Sequence, residues 1–493
     1  MMPSWADCVP MRWPSGPLEI ARREKGKDFS PQTRDTLQRW HDPASLDLLK
    51  GTRINCLLLS WAAGLPQDAE QQRTLAPLME CGRQAGLFFV AWIDGAPDKA
   101  AAIASARAAG CAAAAVEAYE GRTDLPLIAW GTRSKAPWDS AAPVIAVSEN
   151  VWPCIARGAA GFRDTTAGAT GMPWVDSNGW FLQMARARMR AENIWLLYDP
   201  LGGNTIEISE SYRIAVADCL AYGGRWVIAL DDRLRSGMVS KDPSATETWE
   251  SIAGAVEFFE EHKDWRRYRP EGVVGVLSDF SGHNEDLSQE FLNLLFRRML
   301  PYRVLDKSRV SNVAFDGLKE IVYLDEDALD DDLRQKTLAF VRNGGVLLAG
   351  SNWKSEGPVI PDAANPRFEV HRVGKGRLAV SKEEAIDPYL VAADAHLLLS
   401  HANDLVRFYN AGASTALYTT LPEGGRSLLQ LVDYTTARKS GNEITVWLRR
   451  PYRSARLWQM GADSPLVLKK APEVNGMEFY LPPIKSFAGL ELE

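Results

Sequence analysis

The chain has 493 residues, 46% hydrophobic and 24% charged, with a net charge of −7 at pH 7. The length predicts about three domains, and the composition is that of a globular protein. The acidic balance, with no Lys/Arg block, lacks the basic footprint of a nucleic-acid binder, and no apolar run reaches the ~20 residues of a membrane helix.

The first predicted strand is Val9–Ile20, with Pro14 and Pro17 suited to a strand end, followed by a basic loop from Arg22 to Lys27. Asp42 is placed to cap a helix that starts at Pro43. A series of uninterrupted apolar runs then reads as buried parallel strands: Ile54–Trp61, Leu87–Asp94, Cys111–Glu117, Leu125–Trp130, Val144–Glu149, Ile194–Asp199 and Arg225–Asp232. Helical patterns separate several of them: Glu70–Gln84, Asp98–Ala109, Trp180–Ala191, Ser209–Tyr222 and Ala253–His262. The helices after strands four and five read as short or missing. A glycine-punctuated loop, Val151 to Gly179, carries Trp152, Trp174, Asp176 and Asn178 and reads as a wall of a binding site. The fold class expected for residues 1–269 is a TIM (β/α)8 barrel.

Near Pro270 the rhythm changes. Short strands Val273–Ser278, Arg303–Leu305, Glu320–Leu324 and Val346–Ala349 alternate with helices Leu287–Met299 and Asp331–Asn343. A hairpin over Phe368–Ser381 and a helix over Pro388–His401 follow. Residues 270–403 are therefore expected to form a small flavodoxin-like α/β domain. From 404 to 493 the runs Leu428–Val432, Ile444–Leu448 and Ala455–Met460 lie between turns at Glu423-Gly424-Gly425, Ser440-Gly441-Asn442 and Gly461-Ala462-Asp463, which predicts a β-sandwich.

The N-terminus has no basic region followed by an apolar stretch, so no signal peptide is expected; the chain is cytoplasmic or already trimmed. No two of the six cysteines share a CxxC spacing, and no His-rich set lies near them, so no zinc site and no cofactor are expected. Cys56 and Cys111, inside apolar runs, read as small buried hydrophobes. Of 17 tryptophans, all but Trp353, Trp447 and Trp458 precede residue 270. Trp61, Trp92 and Trp130 close three successive strands, where indole faces would suit the C–H faces of sugar rings.

Three motif matches are rejected. Gly374-Lys375-Gly376-Arg377-Leu378-Ala379 fits a dinucleotide fingerprint but runs into a strand pattern, not a helix. The acidic run Asp325–Asp332 lacks the glycine and bidentate glutamate of a calcium loop and suits a helix N-terminus. Amidotransferase chemistry in the middle domain would need a cysteine, and none follows Cys219. What remains is carboxylates at strand ends: Asp94, Glu117, Glu149, Asp199, Asp231 and Asp232, with Glu120 and Asp176 in nearby loops. Ligands bind at that edge of a parallel barrel. Glycoside hydrolysis needs two carboxylates facing one bond, one held protonated. Glu117, leaving a run of alanines, is the candidate general acid/base, and Asp199 or Asp231 its partner. Trp61, Trp92, Asp94, Trp130, Glu149, Trp152, Trp174, Asp176 and Asn178 are candidate substrate contacts. The alternative is a barrel without activity that binds carbohydrate.

The domain order, with Gly275-Val276-Leu277-Ser278-Asp279-Phe280-Ser281-Gly282-His283-Asn284-Glu285 and Val341-Arg342-Asn343-Gly344-Gly345-Val346-Leu347-Leu348-Ala349-Gly350 in the middle domain, resembles bacterial glycoside hydrolases of the trimeric β-galactosidase type. Those proteins join a catalytic barrel, an amidotransferase-like domain and a C-terminal β-domain. The resemblance implies an oligosaccharide or glycoside substrate and a homo-oligomer; no catalytic residue is expected after about residue 270, because the middle domain lacks Cys and the β-domain is patterned for packing. The group carries Asn-Glu at the end of strand four, where this chain has Val116-Glu117, and a Glu nucleophile after strand seven, where it has Asp199. Glu117 matches by position and type, Asp199 by position alone.

Overall fold

The structure is a computed structural model that describes residues 4–25, 29–155, 174–200, 209–311, 314–362, 364–436 and 443–493. The expected loop residues 156–173 and the expected turn Ser440-Gly441-Asn442 lie outside the described residues. The chain divides into two compact units, Met1–Cys154 with Asp176–Asn178 and Met189–Lys263, and Ile155–Val175 with Gly179–Arg188 and Asp264–Glu493.

The first unit is a parallel β-barrel. Its strands are β1 (Pro10–Arg12), β2 (Cys56–Trp61), β3 (Phe88–Ile93), β4 (Ala113–Glu117), β5 (Leu127–Thr132), β6 (Val144–Ser148), β7 (Asn193–Leu196) and β8 (Arg225–Trp226). They pair in chain order, every pair parallel. A parallel bridge between Met11 and Ile228 closes the ring, with Arg12 N donating to Ile228 O and Ile228 N to Pro10 O, both at 2.9 Å. Alternate residues of the strands meet in one interior cluster: Cys56, Leu58, Val90, Trp92, Ala113, Ala115, Ile128, Val144, Ala146, Trp195 and Val227. Small alanines on β4 and β6 leave room there for two indoles.

The connections differ from expectation at the start of the chain. The run Val9–Ile20 is not one strand. β1 stops at Arg12, and Gly16, at φ +84°, turns the chain into helix Pro17–Arg23. Pro17 sits at the first helical position, where its missing N–H costs nothing. Arg22 and Arg23, expected in a loop, end this helix. Helix Pro31–Trp40 follows, capped by the Ser30 hydroxyl. Asp42 caps as expected, but the element is a 3-10 helix, Pro43–Leu49. Helices Asp68–Gln84 and Lys99–Ala108 cover β2 to β4. Among the described residues no α-helix joins β4 to β5 or β5 to β6. An open groove of about 1870 Å3 on that flank is lined by Ile103, Arg107, Tyr119, Ile128 and Trp138. Helices Ser209–Leu220, Asp232–Ser240 and Pro243–Glu261 complete the shell.

In the second unit, a six-stranded sheet has the order 302–306, 274–278, 320–323, 346–349, 376–381, 368–373; all pairs are parallel except the last, a hairpin. The first strand in sequence lies between the second and third, the flavodoxin-like arrangement. The hairpin turns at Gly374, at φ +62°, so the rejected nucleotide motif is indeed a turn. Two antiparallel sheets, of six and four strands, pack face to face over Leu429, Leu431, Val446, Leu448, Leu457, Phe479 and Leu490. The fold is thus α/β: a parallel barrel, a flavodoxin-like layer and a β-sandwich. All six cysteines are free thiols. Among the described residues no helix is long and apolar enough to cross a membrane.

Candidate active site at the barrel mouth

Register decides which strand-end residues share a face, because partners on neighbouring parallel strands point the same way. Ser60 is opposite Trp92, and Trp61 opposite Ile93. Trp92 belongs to the interior cluster. Trp61 therefore points outward: it is 2% exposed, and its Nε1 donates to Ser105 Oγ of helix Lys99–Ala108 at 2.8 Å. Glu117 is opposite Trp130, so the two leave the same, inner face. Trp130 packs on Trp92, ring centroids 5.0 Å apart, and its Nε1 donates to Ile93 O at 3.4 Å. The structure brings Trp92, Trp130 and Glu117 together and sends Trp61 into the helical shell.

A residue that sequence reasoning missed sits at the centre of the neighbouring charges. Glu19, 1% exposed, accepts from Arg22 Nη2 at 2.6 Å, Arg23 Nε at 3.1 Å and Ser60 Oγ at 3.3 Å. Burial pushes its carboxyl up, but the guanidiniums of Arg22, Arg12 and Arg23 outweigh this and hold it at about 2. The same arginines reach outward. Arg22 Nη1 lies 3.3 Å from Asp94 Oδ2, Arg23 Nη1 2.8 Å from Asp232 Oδ2, and Arg12 Nη1 3.5 Å from Asp199 Oδ2. Arg235, 2% exposed, also bonds Asp232. The legible signal was Glu19 with Arg at i+3 and i+4 on a short helix.

The remaining candidates divide between open and engaged groups. Glu117 is half-buried, and its carbonyl accepts from Lys99 Nζ at 2.7 Å. Asp199 has a side chain 68% exposed. Asp231 caps helix Asp232–Ser240: its Oδ1 accepts from Leu234 N at 2.8 Å and its Oδ2 from Tyr212 Oη at 2.7 Å. Glu149 is exposed at φ +61°, and Ala118, directly after Glu117, has φ +45°. Trp152, 5% exposed, packs edge-on against Tyr198, Tyr212 and Trp226. Asn178 is fully buried; its Nδ2 donates to Val151 O and Asp218 Oδ2, each at 2.9 Å. Asp176 is half-buried. Trp174 belongs to the second unit and stacks under Arg297, 3.3 Å from the ring centroid. Among the described residues the mouth offers no three-ligand metal group, and guanidiniums stand beside Asp94, Asp199 and Asp232.

No protein-family model matches the sequence, and no curated protein is similar to it. Solved structures do superpose on it. α-L-Fucosidase isoenzyme 2 from Paenibacillus thiaminolyticus superposes with a TM-score of 0.57 at 10% identity, over 95% of this chain and 97% of that one. A β-galactosidase from Bacillus circulans sp. alkalophilus gives 0.49 at 9% identity, over 86% and 67%. The exo-β-1,4-mannosidase Op5Man5 from Opitutaceae bacterium strain TAV5 gives 0.46 at 13%, over 76% and 92%. At 10% identity the likeness to the first of these is one of fold alone.

Proposed function

We propose that the chain is a glycoside hydrolase that admits an oligosaccharide or glycoside at the barrel mouth. Glu117 serves as general acid/base and Asp199 as its partner, attacking the anomeric carbon or activating water. The observation that carries this reading is the setting of Glu117. It leaves the inner face of β4 beside the Trp92–Trp130 pair, and the next residue, Ala118, is held at φ +45°. A non-glycine residue there costs of order 1–3 kcal/mol, and such strain clusters at working sites. Trp130 supplies a flat apolar face beside the carboxyl, suited to a sugar ring. Asp199 is preferred to Asp231 because both Asp231 oxygens are engaged in capping and in the Tyr212 bond.

The test compares two kinds of substrate. Glu117→Gln is expected to lower turnover of an unactivated oligosaccharide by roughly 10²–10⁴-fold, and far less for an aryl glycoside whose leaving group needs no proton. Asp199→Asn is expected to abolish both. Full activity of Glu117→Gln on the oligosaccharide would remove the assignment.

A second reading, a barrel that binds carbohydrate without cleaving it, draws on the pairing of Asp94, Asp199 and Asp232 with arginines. Calorimetric binding of an oligosaccharide that the unmodified protein never cleaves would select it.

A further inference from the structure

Helix Pro388–Leu399 ends at Ser400, a non-glycine residue at φ +66°. That left-handed turn leads into one turn of 3-10 helix, His401–Asn403, and sets the His401 ring against His396, centroids 4.6 Å apart. Asp404, with a side chain 2% exposed, lies beneath both. Its Oδ1 is 2.9 Å from His396 Nε2 and its Oδ2 2.9 Å from His401 Nδ1. We propose that His396, His401 and Asp404 form a zinc site that fastens this helix end to the following strand, Val406–Tyr409.

Three features support it. First, the donor atoms all lie within 4.8 Å of one another. Zinc holds nitrogen and oxygen ligands at about 2.0–2.2 Å in a tetrahedron, which sets them roughly 3.4 Å apart, so the widest spacing must draw in and the 2.9 Å contacts must widen. His401, whose side chain is 68% exposed, is free to make that rotation. Second, the ligand chemistry is selective. His-x4-His fits the spacing of zinc histidines, and two imidazoles with one carboxylate suit a borderline ion rather than calcium or magnesium. Third, the loop is pinned from outside. Arg407 Nη2 donates to His401 O and Arg449 Nε to Asp404 O, each at 2.6 Å, and Arg449 also bonds Ala402 O. Arg407 Nε holds Asp404 Oδ2 at 2.7 Å, which leaves Oδ1 for the ion. Such outer contacts orient metal ligands. Three protein ligands would leave the ion one further position for water. Cysteine spacing gives no hint of the cluster, because it contains no cysteine.

The full chain, stripped with chelator, is titrated with Zn2+ against a chromophoric competitor, and its thermal unfolding is followed in parallel. One Zn2+ per chain is expected, with a Tm that climbs with Zn2+ concentration, as for any ligand of the folded state. His396→Gln with His401→Gln is expected to weaken uptake by at least about 100-fold, beyond the loss of an outer contact. Cys81→Ser, which removes the exposed thiol, is expected to change nothing. His401→Gln alone, at a largely exposed position, gives the same reading if the double variant does not fold. No uptake by the unmodified chain, or unchanged affinity in the histidine variants, would reduce the cluster to a hydrogen-bond network and overturn the proposal.

Discussion

The two halves of the barrel mouth are built on different principles. Around β1, β2, β3 and β8, carboxylates are matched to guanidiniums: Glu19 holds Arg22 and Arg23, which in turn hold Asp94 and Asp232. Around β4 and β5 the carboxylate Glu117 stands among alanines and indoles, and among the described residues no α-helix joins β4 to β5 or β5 to β6. A buried carboxylate kept charged by three arginines is rigid and poorly suited to exchange protons. A half-buried carboxylate beside apolar surface is the better candidate for acid/base work. Strand-end position alone does not separate the two kinds; their partners do.

The comparison is broken most severely at Glu19. Glu19→Gln removes the shared counter-charge of the arginine half and is expected to cost about 3 kcal/mol in urea unfolding. That is the low end for breaking a buried pair, because Arg22 and Arg23 stay a third or more exposed. The same carboxyl predicts an acid limb. Its folded value of about 2 lies below the ordinary 4.5, so its contribution is complete above pH 4.5 and is lost as the pH falls towards 2. Unfolding curves of Glu19→Gln between those values should show a weaker acid dependence than those of the unmodified protein.

A smaller effect sharpens the contrast between inner and outer indoles. Trp130→Ala is expected to weaken oligosaccharide binding about tenfold, or ~1.4 kcal/mol, by calorimetry. Trp61→Phe, in the helical shell, should leave affinity unchanged and lower stability only. Smallest of all, Asp231→Ala should cost about 1 kcal/mol through the lost helix cap, with turnover per folded molecule retained. Abolished turnover in a folded Asp231→Ala would reverse the choice between Asp199 and Asp231.

Much of this architecture can be read from the chain. The runs ending at Trp61, Glu117 and Asp199 are long, apolar and bounded by turn residues, so the barrel strands stand out, and the lack of a connecting helix among the described residues after β4 and after β5 shows as an absence of helical periodicity. The first strand misleads because Pro17 is ambiguous: the same proline suits a strand end or a helix start, and the glycine before it decides. The site is less legible. Three tryptophans near strand ends look equivalent until register is known, and a shift of one position turns Trp61 away from Trp92. Glu19 with Arg22 and Arg23 looks like a solvated surface trio; only the packing of helix Pro17–Arg23 against the mouth buries it.

The barrel's closing seam has a consequence for how the molecule breathes. β2 and β3 are joined along six registered residues, whereas β1 and β8 meet at a single bridge with two backbone hydrogen bonds. A ring opens first at its thinnest joint, in a step smaller than global unfolding. Amide exchange would therefore begin at Arg12 and Ile228, ahead of the β2–β3 ladder. Since Arg12 also faces Asp199, each such opening would transiently free that carboxylate, tying the local dynamics of the seam to the charge at the mouth.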